Sequence, residues 1–141
     1  HSAFLFGVGS LGGALMHDNG LNQFGLEIVA GFDVKFELSG TSINHIPIHH
    51  IERFAELQKL TGINIGVLTV PVDKAQAVSE KMVEGGIQAI WNFTPYRIRV
   101  PEKVIVQNTS IYAHLAVMFN RLNAINESEN SNKKKNNQLL K

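Results

Sequence analysis

The run Gly7-Val8-Gly9-Ser10-Leu11-Gly12 constrains this chain more than any other part of it. It follows an apolar stretch, Ala3 to Phe6, and leads into Ala14-Leu15-Met16, the order of a buried strand, a glycine-rich turn and a helix. In that context each glycine has its own duty. Gly7 permits the tight turn, Gly9 lets the backbone approach a phosphate with no side chain between, and Gly12 lets the helix pack closely on its strand. The first N–H groups of the helix, around Val8, Ser10 and Leu11, then face the phosphates. A second run, Leu26 to Phe32, reads as a strand and ends in Asp33. That acid stands about twenty residues past the fingerprint, where a carboxylate binds the ribose hydroxyls of NAD. Its charge opposes the extra phosphate of NADP. The expectation is a site for NAD or NADH.

The rest of the chain alternates in type, as a parallel sheet with crossover helices requires. After the first helix, expected from Ser10 to Asn19-Gly20, and the strand at Leu26–Phe32, a short strand is predicted at Ile46-Pro47-Ile48. Its proline places it at an edge or a strand end. Ile51, Phe54, Ala55 and Gln58 mark a helix face that stops at Thr61-Gly62. Ile63–Val70 reads as a buried strand and Asp73 as the N-cap of a helix lined by Ala75, Val78 and Met82 and closed by Gly85-Gly86. Ile87–Asn92 and Val104–Gln107 complete the set. The predicted class is α/β, a Rossmann-like doubly wound, mainly parallel sheet with a C-terminal dimerisation helix. In such sheets ligands bind beyond the carboxyl ends of the strands. Asp33-Val34, Thr69-Val70-Pro71 and Asn92-Phe93-Thr94-Pro95 fall there, and with the glycine loop they form one rim. Thr69, Asn92 and Thr94 are expected to fix a ribose and a nicotinamide.

A last helix is predicted after Asn108-Thr109. Ile111, Leu115, Met118, Phe119, Leu122 and Ile125 recur at helical spacing, with Tyr112 and Ala116 broadening the stripe. The sheet already has its helices, so this stripe is assigned to a partner subunit, making the chain a homodimer. The expected organisation is a nucleotide-binding domain over 1–108, the dimerisation helix over 109–125 and a flexible polar tail over 126–141.

Composition excludes several functions. Without cysteine there is no disulfide or thiolate chemistry, and a net charge of +1 leaves no electrostatic footprint for nucleic acid. No run is apolar for long enough to span a membrane and no leader is visible, which fits a cytoplasmic protein. Only His1-Ser2 precedes the first strand, so the chain reads as a fragment lacking an N-terminal portion. His45, His49 and His50 have no acid at ligand spacing and read as surface-loop residues, with no metal site. His17 and His114 lack an orienting carboxylate, no Tyr-x-x-x-Lys run is present, and no second domain remains to hold a substrate. The reading is a binder of NAD and NADH that is not an enzyme.

At this point the chain resembles a known family. The fingerprint with Ala14-Leu15, Gly31-Phe32-Asp33-Val34, Leu68-Thr69-Val70-Pro71, Gly86-Ile87, Asn92-Phe93-Thr94-Pro95 and Val100-Pro101 is similar to the C-terminal domain of Rex, the redox-sensing repressor of bacteria. The resemblance runs from about Ala3 to Leu122. It implies a homodimer that senses the NADH/NAD ratio, with a C-terminal helix exchanged between protomers. It implies also that operator DNA is read by an N-terminal winged helix, absent from this chain, and is released when NADH binds. Four positions depart from the family's pattern. Asp18 stands for a tyrosine near the nicotinamide, Ser110 for an aspartate that reaches the partner's site, and Lys35-Phe36 for the acid and proline of an Asp-x-Asp-Pro run. Two other classes share the glycine loop: an NAD-dependent oxidoreductase, lacking here a visible acid–base pair, and a coenzyme A-binding module, against which Asp33 stands.

Overall fold

Among the described residues seven strands form one sheet in the order β3-β4-β2-β1-β5-β6-β7. They are β1 Ser2–Phe6, β2 Glu27–Asp33, β3 Ser42–Ile43, β4 Ile46–His50, β5 Ile65–Leu68, β6 Ala89–Asn92 and β7 Ile105–Asn108. The helices are α1 Ser10–Asp18, α2 Phe54–Thr61, α3 Ala75–Glu84 and α4 Ile111–Leu139. This computed structural model describes residues 1–18, 20–109 and 111–139. Every strand pair is parallel except β3 with β4. From β1 the chain steps outward through β2 to β4, then returns to β5 on the other side of β1. The order therefore reverses beside β1, and the carboxyl ends there open onto the crevice where doubly wound sheets bind ligands.

Burial explains the sheet's two faces. Phe4 and Phe6 of β1, Phe32 of β2 and Phe54 of α2 pack with Leu68, Val78, Met82 and Ile90 into one apolar cluster beneath α2 and α3. Their rings meet edge to face, Phe4 and Phe32 at 5.1 Å and Phe6 and Phe54 at 4.9 Å, an arrangement worth about 0.5–1.5 kcal/mol per pair beyond burial itself. On the opposite face α1 lies close over β2. A Cβ on Gly31 would stand 3.0 Å from Val8 Cγ2 and 3.1 Å from Met16 Cε, so the glycine sets how near that helix comes.

Several boundaries differ from those the sequence predicts. Outside Ile46-Pro47-Ile48 lies a two-residue antiparallel strand, β3, joined to β4 by Asn44 and His45 at φ 51° and 65°. Two consecutive positive φ values make a tight hairpin turn, for which asparagine is suited. Asn44 Nδ2 also donates to the His17 carbonyl at 3.2 Å, closing the end of α1. Asp73 is not an N-cap. Pro71 (φ −56°) starts a 3-10 turn at Val72–Lys74, which reaches α3 without a side-chain cap. Ala55 is exposed, whereas Leu57 packs on the core. His49 and His50 belong to strand β4 rather than to a loop. Asn19, expected at the end of the first helix, lies outside the described residues.

The chain divides into two units, His1–Thr109 and Ser110–Lys141. In the second unit α4 continues as one helix of 29 residues to Leu139, through 126–139, which the sequence reads as a flexible tail. This stretch contains neither glycine nor proline, and Glu129 and Lys133 stand four apart in the favourable order. Met118, Leu122 and Ile125 are each about half exposed, at 52%, 51% and 56%. Ser110 and the side chains of Ile111, Tyr112, Leu115 and Phe119 lie outside what the structure describes.

Candidate functional site

The glycine loop leaves β1 through a ladder bond, Gly7 N–H to the Phe32 carbonyl at 2.8 Å. Gly7 then adopts φ +105°, where a Cβ would stand 2.7 Å from the Val70 nitrogen. Its carbonyl turns inward and accepts from the Thr69 hydroxyl at 2.8 Å. A Cβ on Gly12 would run into that same carbonyl and lie 2.8 Å from Thr69 Oγ1. Gly7 and Gly12 are thus required by the protein's own packing. Gly9 is different: a Cβ there would meet nothing within 4 Å, and its φ is one that any residue adopts. The space in front of Gly9 is open, so the chain's own packing does not require a glycine there. Gly13 N–H makes the first bond of α1, to the Gly9 carbonyl at 2.8 Å, which leaves the amides of Ser10, Leu11 and Gly12 ahead of the first helical bond, with Ser10 exposed, Leu11 half-buried and Gly12 buried. These amides can hold an anion.

Asp33 ends β2 beside this loop. Its Oδ2 accepts the Val8 N–H at 2.8 Å and its Oδ1 the Lys35 N–H at 3.0 Å. One carboxylate therefore ties the glycine loop to the turn that follows β2. A carboxylate offers about four acceptor positions, so two remain for a pair of vicinal hydroxyls. Val34 beyond it is exposed.

Across the sheet, the polar groups expected to bind ribose and nicotinamide have another role. Thr69 Oγ1 is spent on the Gly7 and Phe6 carbonyls. Asn92, fully buried, uses its entire amide. Its Oδ1 accepts from Thr94 N–H at 3.0 Å and from the Thr94 hydroxyl at 2.7 Å, while its Nδ2 donates to the Tyr96 carbonyl at 2.8 Å and to Asn108 Oδ1 at 3.0 Å. An amide offers two donors and two principal acceptor positions, and all are taken. Thr69, Asn92 and Thr94 therefore build the rim, and Val70, Pro71 and Pro95 are the parts of it that reach solvent, with Phe93 buried behind.

Two residues at the rim carry more than the sequence indicated. Trp91 donates from Nε1 to Thr109 Oγ1 at 2.9 Å and meets the exposed ring of Phe24 at 5.7 Å. His50, register partner of Asp33, bonds the Val34 carbonyl through Nε2 at 3.1 Å. No spacing rule points to either contact, since each partner belongs to another strand or turn. A separate cleft of about 240 Å³ between α2 and α3, over Phe54 and beside Lys81 and Glu84, contains none of the predicted site residues.

With this geometry in place, three comparisons bear on it. Residues 1–96 match the family described as CoA binding domain. The redox-sensing transcriptional repressor Rex of Bacteroides fragilis is 64% identical over 129 residues, which are 92% of this chain and 58% of that protein. The chain thus spans a little over half the length of the curated relatives it matches. Among solved structures, a Rex-family repressor, RSP, in complex with β-NAD+ and operator DNA superposes with a TM-score of 0.76 at 29% identity, over 92% of this chain and 59% of that one. RSP in complex with β-NADH gives a TM-score of 0.77, over 92% and 62%.

Proposed function

From the premise that the chain belongs to the CoA binding domain family and, within it, to the Rex repressors, we propose that it is the NAD(H)-binding sensor domain of a transcriptional repressor. In this reading it responds to the NADH/NAD ratio and releases operator DNA when NADH binds. The observation that carries the binding site is the open face of the loop at Gly9: no packing contact requires a glycine there, whereas a pyrophosphate lying against the loop does. Gly9, Ser10, Leu11 and Gly12 would cradle the phosphates with their amides, while Gly7 and Val8, whose own amides are held by the Phe32 carbonyl and Asp33, would shape the turn beneath them. Asp33 would hold the adenosine ribose, with Val34 against the base. Thr69-Val70-Pro71 and Asn92-Phe93-Thr94-Pro95 would shape the nicotinamide half. The apolar reach of Val70, Pro71 and Pro95 favours the neutral reduced ring, because the oxidised ring brings a charge whose desolvation costs energy.

The domain binds without turning its ligand over. At the rim, the imidazole of His50 is already engaged on both nitrogens and the polar side chains of Thr69 and Asn92 are spent inward. Coenzyme A shares the adenosine half, but its 3′-phosphate would face the Asp33 carboxylate. A calorimetric titration with NADH, NAD, NADPH and coenzyme A tests the reading. NADH should bind most tightly, and Asp33→Ala should narrow its margin over NADPH. Equal affinity for NADH and NAD would overturn the sensing role, and tighter binding of coenzyme A would overturn the ligand.

The partner in this reading is a second copy. Met118, Leu122 and Ile125 follow one another along α4 by four and three residues, a stripe that monomeric proteins rarely leave in water. With Ile111, Tyr112, Leu115 and Phe119 it would form the dimer interface. Paired Met118→Glu and Leu122→Glu substitutions should leave a monomer in sedimentation; a dimer that survives them excludes this helix as the interface. Operator DNA would be met by a winged-helix domain outside this chain, and the setting is the cytoplasm. Among the described residues no helix is long and apolar enough to cross a membrane.

A further inference from the structure

His50 makes a set of contacts that neither its strand nor the core requires. Its Nδ1 lies 3.2 Å from the Glu52 N–H, which can only donate, so Nδ1 carries no proton. The neutral ring then holds its proton on Nε2, which stands 3.1 Å from the Val34 carbonyl, a group that can only accept. Both hydrogen-bond partners are matched by the tautomer protonated on Nε2, and the Glu52 carboxylate lies farther from Nδ1, at 3.8 Å. The ring also stacks on Phe36, with centroids 4.2 Å apart and planes 12° from parallel, and its side chain is only 12% exposed.

The Val34 carbonyl and the Lys35 N–H are the two ends of one peptide plane. His50 holds the first and Asp33 Oδ1 holds the second. Because a peptide unit is rigid, fixing both ends fixes the plane, and with it the direction from which Asp33 is approached. Asp33 and His50 are also paired across β2 and β4. We propose that His50 is a positioning residue for the adenosine end of the dinucleotide: it locks the Val34–Lys35 peptide plane, and so sets the orientation in which Asp33 offers its carboxylate to the ribose. This rests on the dinucleotide reading above and adds to it a residue that touches no ligand.

The test uses the whole chain with ADP-ribose, NAD and NADH in calorimetry, and thermal unfolding as a folding control. His50→Phe keeps a flat ring against Phe36 but removes both hydrogen bonds. It should weaken all three ligands by one common factor of about 3–10, the worth of one positioning hydrogen bond, with the NADH/NAD preference unchanged. His50→Gln, whose amide can still donate to the Val34 carbonyl, should recover most of that loss. In an Asp33→Ala background, where there is no carboxylate to orient, His50→Phe should change NADH affinity by less than about twofold. Wild-type affinity in His50→Phe, a fully additive loss with Asp33→Ala, or a folded His50→Gln that binds no better than His50→Phe would each overturn the role of His50 and leave the dinucleotide reading standing. A wild-type chain that binds none of the three ligands would overturn both.

Discussion

The glycine loop and the Asn92 corner both lie at the carboxyl ends of strands, yet they handle their polar groups in opposite ways. In the loop the amides of Ser10, Leu11 and Gly12 precede the first helical bond, and open space lies before Gly9. At the corner Asn92 is fully buried and every polar atom of its amide is paired within the protein. The loop is a surface left incomplete, and the corner is a joint that completes itself. Polar residues at a strand end are therefore not equivalent evidence of binding. What distinguishes them is whether their hydrogen-bonding capacity is already used.

Substitution at two glycines of one loop should break this contrast most sharply. Gly9→Val projects a side chain only into the open space, so the fold should lose no more than about 1 kcal/mol, the scale of a changed helix N-cap. NADH binding should nevertheless fall on the order of 100-fold, because two lost charge-assisted hydrogen bonds already amount to that. Gly12→Val should do the reverse. Its Cβ collides with the Gly7 carbonyl and Thr69, so urea unfolding should show a loss of about 1–3 kcal/mol even without ligand. Equal stability losses at the two positions would erase the distinction.

Asn92→Leu probes the corner. It leaves the Thr94 N–H, the Tyr96 carbonyl and Asn108 Oδ1 without their partner. Of these the Thr94 N–H is buried, and a buried unpaired group costs about 1–3 kcal/mol, so denaturant unfolding should show a loss of that order. An Asn92→Leu chain as stable as wild type would mean that the corner does not hold the β6–β7 edge.

The smallest effect concerns acid. Burial, with Arg53 adding to it, holds the His49 pKa below its ordinary value of 6.5. The folded chain then resists a proton that the unfolded chain accepts. Stability from this source is complete above 6.5 and is lost as the pH falls through the folded value. His49 lies on β4 against Phe32, on the loop side of the sheet, whereas the Asn92 corner consists of amides and hydroxyls that do not titrate. Hydrogen exchange at mildly acidic pH should therefore quicken in β2 and β4 before β6 and β7, and His49→Gln should reduce that difference. Uniform quickening in all four strands would assign the acid sensitivity elsewhere.

The sequence by itself determined the α/β alternation, the glycine fingerprint, the position of Asp33 and the apolar stripe starting α4. Each is written within a few neighbouring residues, because helix and strand periods and turn glycines are local properties. Tertiary structure alone decided how the polar groups were used. The Thr69 hydroxyl finds its acceptor at Gly7, 62 positions away, and Asn92 finds Asn108 at a separation of 16. The inward turn of these groups, the plane His50 holds and the β3 hairpin that closes α1 all depend on strands meeting from distant parts of the chain. A threonine or asparagine at a strand end reads the same in sequence whether it faces a ligand or a neighbouring carbonyl. Only the packed sheet settles which, because a buried polar group must take whatever partner the fold brings within reach.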